Sequence, residues 1–169
     1  MRMKEAMFYE KAGRNVKCKL CGMNCLIASD KTGYCGVRKN ENGKLYSLNY
    51  GKLCSIANDP IEKKPLFHFA PGSMALSIAS VGCNFKCKFC QNWEISQEYG
   101  YVWGEEIEPE KIVELAVTHD SQGIAYTYTE PTIFYEYALD VMKIAKTVSY
   151  THLRAHETRH DLVCRLLLE

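Results

Sequence analysis

Four stretches of the chain carry a regular hydrophobic pattern. Met74-Ala-Leu-Ser-Ile-Ala-Ser-Val81 is a short apolar run bounded by Gly72 and Gly82, which predicts a strand buried on both faces. After Glu108, apolar residues return at Ile112, Leu115 and Ala116, the i, i+3, i+4 spacing of a helix, with Pro109 near its first position. Gly123-Ile-Ala-Tyr-Thr-Tyr128 predicts a second short strand. From Pro131, the residues Ile133, Phe134, Tyr137, Ala138, Val141, Ile144 and Ala145 make the apolar face of a second helix. The order strand, helix, strand, helix predicts an α/β fold with right-handed parallel βαβ units.

Upstream the pattern is weaker. Asn42-Gly43 is a two-residue hairpin signal, and Tyr46, Leu48 and Tyr50 alternate beyond it as in a strand. Before the turn only Val37 is apolar, so the partner strand is unmarked. Residues 1–60 read as a small cysteine-rich β module and residues 61–147 as the first βα units of a larger core. The stretch NDPIEKKPLFHFAPGS, residues 58–73, carries three of the five prolines and predicts an extended connector.

Composition narrows the function. The chain has 169 residues, 47% hydrophobic, enough for one domain with a core. A formal net charge of +1 argues against a mainly electrostatic nucleic-acid binder. No run approaches the ~18–20 apolar residues of a membrane span, and the charged start MRMKEAMFYEKAGR has no apolar leader. The expectation is a soluble cytoplasmic protein without membrane or nucleic-acid partners.

The nine cysteines change the picture most. In a chain of this kind they are metal ligands or reactive thiols before they are disulfides. Cys83, Cys87 and Cys90 form a Cys-x3-Cys-x2-Cys loop leaving the C-terminal end of the first buried strand, where the catalytic loops of β/α barrels lie. Three thiolates so close can hold three corners of a cubane iron–sulfur cluster and leave the fourth iron open, whereas electron-transfer clusters use four. A zinc site borrowing a ligand from elsewhere fits this spacing poorly. Cys18, Cys21, Cys25 and Cys35 are a second candidate metal site: a structural zinc, a second iron–sulfur cluster and an unmetallated turn all fit. Cys54 and Cys164 read as isolated buried or free thiols.

The triad with Phe89 before its last cysteine resembles the radical S-adenosylmethionine (SAM) superfamily. The runs Asp59-Pro-Ile-Glu-Lys-Lys-Pro-Leu-Phe-His68, Cys90-Gln-Asn-Trp-Glu-Ile-Ser96 and Tyr126-Thr-Tyr-Thr-Glu-Pro-Thr-Ile-Phe134 are similar to the AmmeMemoRadiSam-system radical SAM proteins, relatives of pyruvate formate-lyase activating enzymes. The likeness covers about residues 14–147. It implies the N-terminal part of a partial (β/α) radical SAM barrel, with a 4Fe–4S cluster on Cys83, Cys87 and Cys90 and SAM on its fourth iron. It implies reductive cleavage of SAM to methionine and a 5′-deoxyadenosyl radical, with flavodoxin or ferredoxin as reductant and a small-molecule or protein substrate left unidentified. Glu130 takes the place of the acid that holds the SAM amino group, although Tyr128-Thr129 stand where the superfamily motif has two glycines. The bland alternative makes Glu130 a solvated residue before a helix. Phe89 either packs on the adenine of SAM or serves the core. No catalytic residue is singled out. The rival readings are an activase that places a glycyl radical on a partner protein, and a non-catalytic iron–sulfur or zinc module.

Residues 148–169 break the pattern, and no third strand is predicted after the second helix. His152, His156 and His160 are too spread along a helix for one metal. A solvated amphipathic helix is a second reading, but the segment most resembles translated sequencing adapter. The expectation is a barrel fragment cut after two units, with reduced or no activity.

Overall fold

The computed structural model describes residues 3–148 and the backbone of residues 151–154. The strands of the first third are β1 (Lys4–Glu5), β2 (Tyr9–Ala12), β3 (Asn15–Cys18), β4 (Leu26–Ile27), β5 (Arg38–Glu41) and β6 (Lys44–Ser47). They form two antiparallel three-stranded sheets, ordered β1-β6-β5 and β2-β3-β4. Ala6 and Leu45 of the first sheet pack with Val16, Cys18 and Ile27 of the second, so the two share a core.

The Asn42-Gly43 turn joins β5 to β6, with φ +53° and +82°, the left-handed values that a two-residue hairpin needs. The strand before it differs from expectation. β5 is polar throughout, yet Arg38 is 1% exposed and Asn40 is fully buried. Asn40 donates to the carbonyls of Arg14 and Ile27 and accepts from Gly43 N–H. Hydrogen-bond satisfaction, not apolar character, therefore holds this strand inside.

β7 (Lys52–Leu53) leads into β8 (Ser55–Pro60), which pairs antiparallel with β9 (Met74–Ala79) along its whole length, Asp59 opposite Ala75. The expected connector thus begins inside a strand and continues as a single 3-10 turn at Ile61–Lys63. Its prolines misled the pattern: Pro60 closes an edge strand, where the missing N–H is tolerated.

After β9 come the cysteine loop, α1 (Trp93–Ser96), β10 (Glu105–Glu106, antiparallel to β7), α2 (Pro109–Thr118) and β11 (Gly123–Tyr126). β9 and β11 are parallel, as the strand–helix–strand order predicts. The second helix opens as a 3-10 turn at Pro131–Phe134 and becomes α3 (Tyr135–Thr147). Leu76 and Ile78 of β9 and Ile124 and Tyr126 of β11 pack on Ile112, Ala116, Phe134, Tyr137, Val141 and Ala145 of the helices. The alternate residues Ala75 and Ala125 face the other way, against Ile61 and Leu66.

The absence of a third strand is corrected. Residues Thr151–Arg154 form β12, parallel to β11 with Ile124 opposite His152. An open strand edge pairs through main-chain groups that any extended segment supplies, so an apolar pattern is not required. The expectations for His156, His160, Cys164 and the rest of residues 155–169 lie outside the described residues. Among the described residues no helix is long and apolar enough to cross a membrane.

Candidate functional site

The cysteine loop begins where β9 ends. Gly82 has φ +96°, and a Cβ there would stand 2.6 Å from Val37 Cγ1 and 2.9 Å from the Cys35 carbonyl. Only glycine lets the loop start this close to the N-terminal sheets. Cys83 is 8% exposed, while Cys87 and Cys90 are half-buried. Lys86 and Lys88 lie exposed between them, as their charge requires.

Side chains just after the triad shape the loop. Gln97 Nε2 donates to the Cys87 carbonyl at 3.1 Å, and the Cys90 N–H meets the same carbonyl at 3.2 Å. The Ser96 hydroxyl lies 3.3 Å from Cys90 Sγ. Asn92 Nδ2 donates to the Tyr128 carbonyl at 3.1 Å, which fastens the loop to the end of β11. Thr129 Oγ1 donates to the Ser80 carbonyl at 2.7 Å and makes the same link in the other direction. Burial raises the Cys83 thiol pKa, and it stays raised although the N–H groups of Phe85 and Glu130 favour the thiolate.

Glu130 is 8% exposed, which excludes the solvated reading. Its Oε1 accepts from Thr132 N–H at 3.3 Å and from Thr132 Oγ1 at 2.5 Å, capping the 3-10 turn. Its charge acts on Cys83, so strand end, acid and buried thiol adjoin. Phe89 is 74% exposed, which excludes the core reading; it projects from the loop beside Lys88.

One network escaped the sequence reading. Asp59 Oδ2 accepts from Tyr128 Oη at 2.5 Å, Ser77 Oγ at 2.8 Å and Lys64 Nζ at 3.0 Å, and Oδ1 accepts from Lys63 Nζ at 2.8 Å. Burial alone would raise the Asp59 carboxyl; the four donors outweigh it and hold the group well below the usual carboxylate range. Tyr128 sits at φ +66°, with Lys64 Nζ 4.7 Å from its ring centre. Asp59, Lys63 and Lys64 fall in the run 59–68 and Tyr128 in the run 126–134, the sequence segments that bear on this network.

Cys18, Cys21, Cys25 and Cys35 come together around one cavity, with Arg38 and Asn84 in its wall. Tyr99 lies between the two cysteine groups: its hydroxyl donates to the Cys35 carbonyl at 3.1 Å. Burial and the charges of Cys35 and Cys83 push its phenol up to about 12. Cys54 stands apart on β8's flank, its thiol pushed up to about 11 by burial. Among the described residues no three His, Cys, Asp or Glu side chains are disposed, as they stand, to hold a metal ion.

Residues 77–169, more than half the chain, match the model of the radical SAM superfamily. The chain belongs to that superfamily. The match begins inside β9, three residues after Met74, and takes in the whole cysteine loop. An uncharacterized protein of Methanocaldococcus jannaschii is 52% identical over 149 residues, covering 85% of this chain and 44% of that protein. The chain therefore spans less than half the length of this curated relative. No solved structure matches.

Membership implies a 4Fe–4S cluster and SAM, and the residues fit that pair. Three thiols share one loop of eight residues, Cys83 to Cys90, with Cys83 buried and Cys87 and Cys90 half-buried.

Proposed function

We propose that this chain carries the cluster half of a radical SAM enzyme, with Cys83, Cys87 and Cys90 as the ligands of a 4Fe–4S cluster and Glu130 as the partner of the SAM amino group. The observation that carries the reading is the meeting of the triad loop, at the C-terminal end of β9, with the buried Glu130 at the C-terminal end of β11. When bound, cluster and cofactor supply one-electron cleavage of the sulfonium C–S bond, which yields methionine and a 5′-deoxyadenosyl radical able to take hydrogen from a substrate.

The chain's own residues do the positioning. Gln97 holds the loop at the Cys87 carbonyl, Asn92 ties it to the end of β11, and Thr129 ties that end to the end of β9. The Glu130 carboxylate has one oxygen on Thr132 and is suited by charge to an ammonium group. The half-buried Cys87 and Cys90, flanked by the exposed Lys86 and Lys88, suit delivery of an electron from an acidic carrier such as flavodoxin or ferredoxin. The runs at 59–68, 90–96 and 126–134 support placement among the AmmeMemoRadiSam-system proteins.

Anaerobic reconstitution with iron and sulfide, followed by electron paramagnetic resonance of the reduced protein with and without SAM, tests the reading. A cluster signal that changes when SAM is added is expected. A signal indifferent to SAM, both in this chain and in a version extended to the relative's full length, overturns it.

A further inference from the structure

We propose that Cys18, Cys21, Cys25 and Cys35 form a second metal centre, a closed tetrathiolate zinc site set against the start of the cluster loop. The inference is independent of the SAM reading, because it uses none of the triad residues.

The backbone brings the four together. β3 ends on Cys18, and the chain turns tightly back to Cys25, with Cys18 N–H on the Cys25 carbonyl at 2.9 Å and Asn24 N–H on the Cys21 carbonyl at 3.2 Å. Cys35 arrives on a second turn, closed by Gly33 N–H on the Arg38 carbonyl at 2.8 Å. That turn lies against Cys25: a Cβ on Gly33 would stand 3.7 Å from Cys25 Sγ. Tyr34 N–H points at Cys25 Sγ from 3.5 Å, the main-chain donation that a metal-bound thiolate accepts.

The space between them selects the occupant. All four cysteines line one cavity of about 10 Å³, walled by Leu20, Met23, Ile27 and Ile133. That is about the room of one water, which suits a single ion. Four sulfur ligands in a closed set are the donors of structural zinc. To converge on one ion the four sulfurs would have to turn about their Cα–Cβ bonds between staggered positions.

A buried donor left without a partner points the same way. Arg38 is 1% exposed and lines this cavity. Its Nη1 and Nη2 are taken by Glu136 and the Ile133 carbonyl, but its Nε–H is buried with no partner among the described residues. Glu136 already balances the Arg38 charge, so the spare N–H is a donor in search of an acceptor. Zinc with four thiolates carries a net negative charge, and its sulfurs accept such outer donors. Asn84 in the same wall also has an Oδ1 with no partner among the described residues. A half-turn of its amide presents N–H instead. As Asn84 follows Cys83 directly, a filled zinc site would brace the loop that bears the cluster.

The test is metal analysis of the full chain, produced with both zinc and iron supplied and purified without oxygen. About one zinc per chain that survives dialysis is expected. Cys21→Ser and Cys35→Ser should each lower it at least about tenfold, while Cys54→Ser and Cys87→Ser leave it unchanged. Cobalt(II) in place of zinc should show the strong visible absorption of a tetrahedral tetrathiolate. Should the serine variants fail to fold, stripping zinc from the unmodified chain with a chelator must free about four more thiols for a thiol reagent. A chain that purifies without zinc, or zinc retained in both serine variants, overturns the proposal. So does an iron–sulfur signal that survives Cys87→Ser and vanishes in Cys21→Ser. Loss of the SAM response with zinc intact would strike only the function proposed above.

Discussion

Arg38 and Glu136 meet across 98 residues of chain in a two-point contact, Nη1 to Oε1 at 2.7 Å and Nη2 to Oε2 at 2.5 Å, with side chains 1% and 2% exposed. The pair ties β5 of the N-terminal sheets to the first turn of α3. Met7 N–H reaches Glu136 Oε1 at 3.0 Å, and Tyr50 Oη reaches Asp140 Oδ2 at 2.7 Å, so one face of α3 is bound to that region at several points.

Breaking this pair from one side should cost more than any surface change. Glu136→Gln keeps the shape but leaves the Arg38 charge uncompensated in the interior, at a cost of about 3–5 kcal/mol. Urea unfolding monitored by circular dichroism checks it. A loss below about 1 kcal/mol would mean that water reaches the pair.

Stability should fall on acidification, and the sign follows from two depressed carboxyls. Burial opposes ionisation of Glu136, but the hydrogen bonds and charge of Arg38 prevail and its pKa lies below the ordinary 4.5; that of Asp59 lies below the ordinary 3.8. Each stabilises the fold fully above its ordinary value and progressively less as pH falls from there through the folded value. Asp59→Asn should flatten the acid limb of a plot of melting temperature against pH; a limb parallel to that of the unmodified chain would count against the network.

Tyr128→Phe removes one donor from Asp59 and leaves the ring in place. A hydrogen bond to a charged group contributes about 1.5–3 kcal/mol, and the left-handed backbone at Tyr128 loses its tether. Lower thermal stability and a weaker SAM-induced change in the reduced cluster signal are expected together. Tyr128→Gly relaxes the backbone but loses the same bond, so it should not restore the signal.

Gly82→Ala drives a methyl group into Val37 and the Cys35 carbonyl from a conformation that L residues avoid. Destabilisation of at least about 1–3 kcal/mol is expected. Iron retained after reconstitution should drop with it, because the loop that starts at Gly82 is displaced. Full iron content in this variant would show that the close approach does not govern the loop.

Cys87→Ala should abolish iron uptake while the fold persists. Cys87 is half-buried and belongs to none of the hydrophobic clusters among the described residues. Iron and sulfide assays read the first effect and far-ultraviolet circular dichroism the second. Cluster formation in Cys87→Ala would remove it from the ligand set.

Sequence pattern revealed the parts of this molecule that rest on apolar spacing. β9, α2, β11 and α3 were legible because Leu76, Ile78 and Ile124 sit in short apolar runs and Ile112, Ala116 and Val141 recur at helical spacing. The triad was legible because three ligands to one group must be close in sequence to share a loop. β5 was not, because its inward positions are Arg38 and Asn40, whose partners Glu136, Arg14 and Ile27 lie far along the chain. The Asp59 network was hidden for the same reason: its donors come from the 3-10 turn, β9 and the end of β11. β12 lacks an apolar signal, since pairing with β11 asks only for free main-chain groups.

The separation of Arg38 from Glu136 also orders events at the ribosome. Elongation runs at roughly 5–20 residues per second, so the 98 residues from Arg38 on to Glu136 take about 5–20 s to make. Through that interval β5 has no carboxylate to receive its guanidinium, and a cation cannot be drawn into an apolar interior alone. The N-terminal sheets therefore cannot settle into their final packing as they emerge. They must wait, partly open, for α3, and the four N-terminal thiols stay within reach of metal ions for as long as that wait lasts.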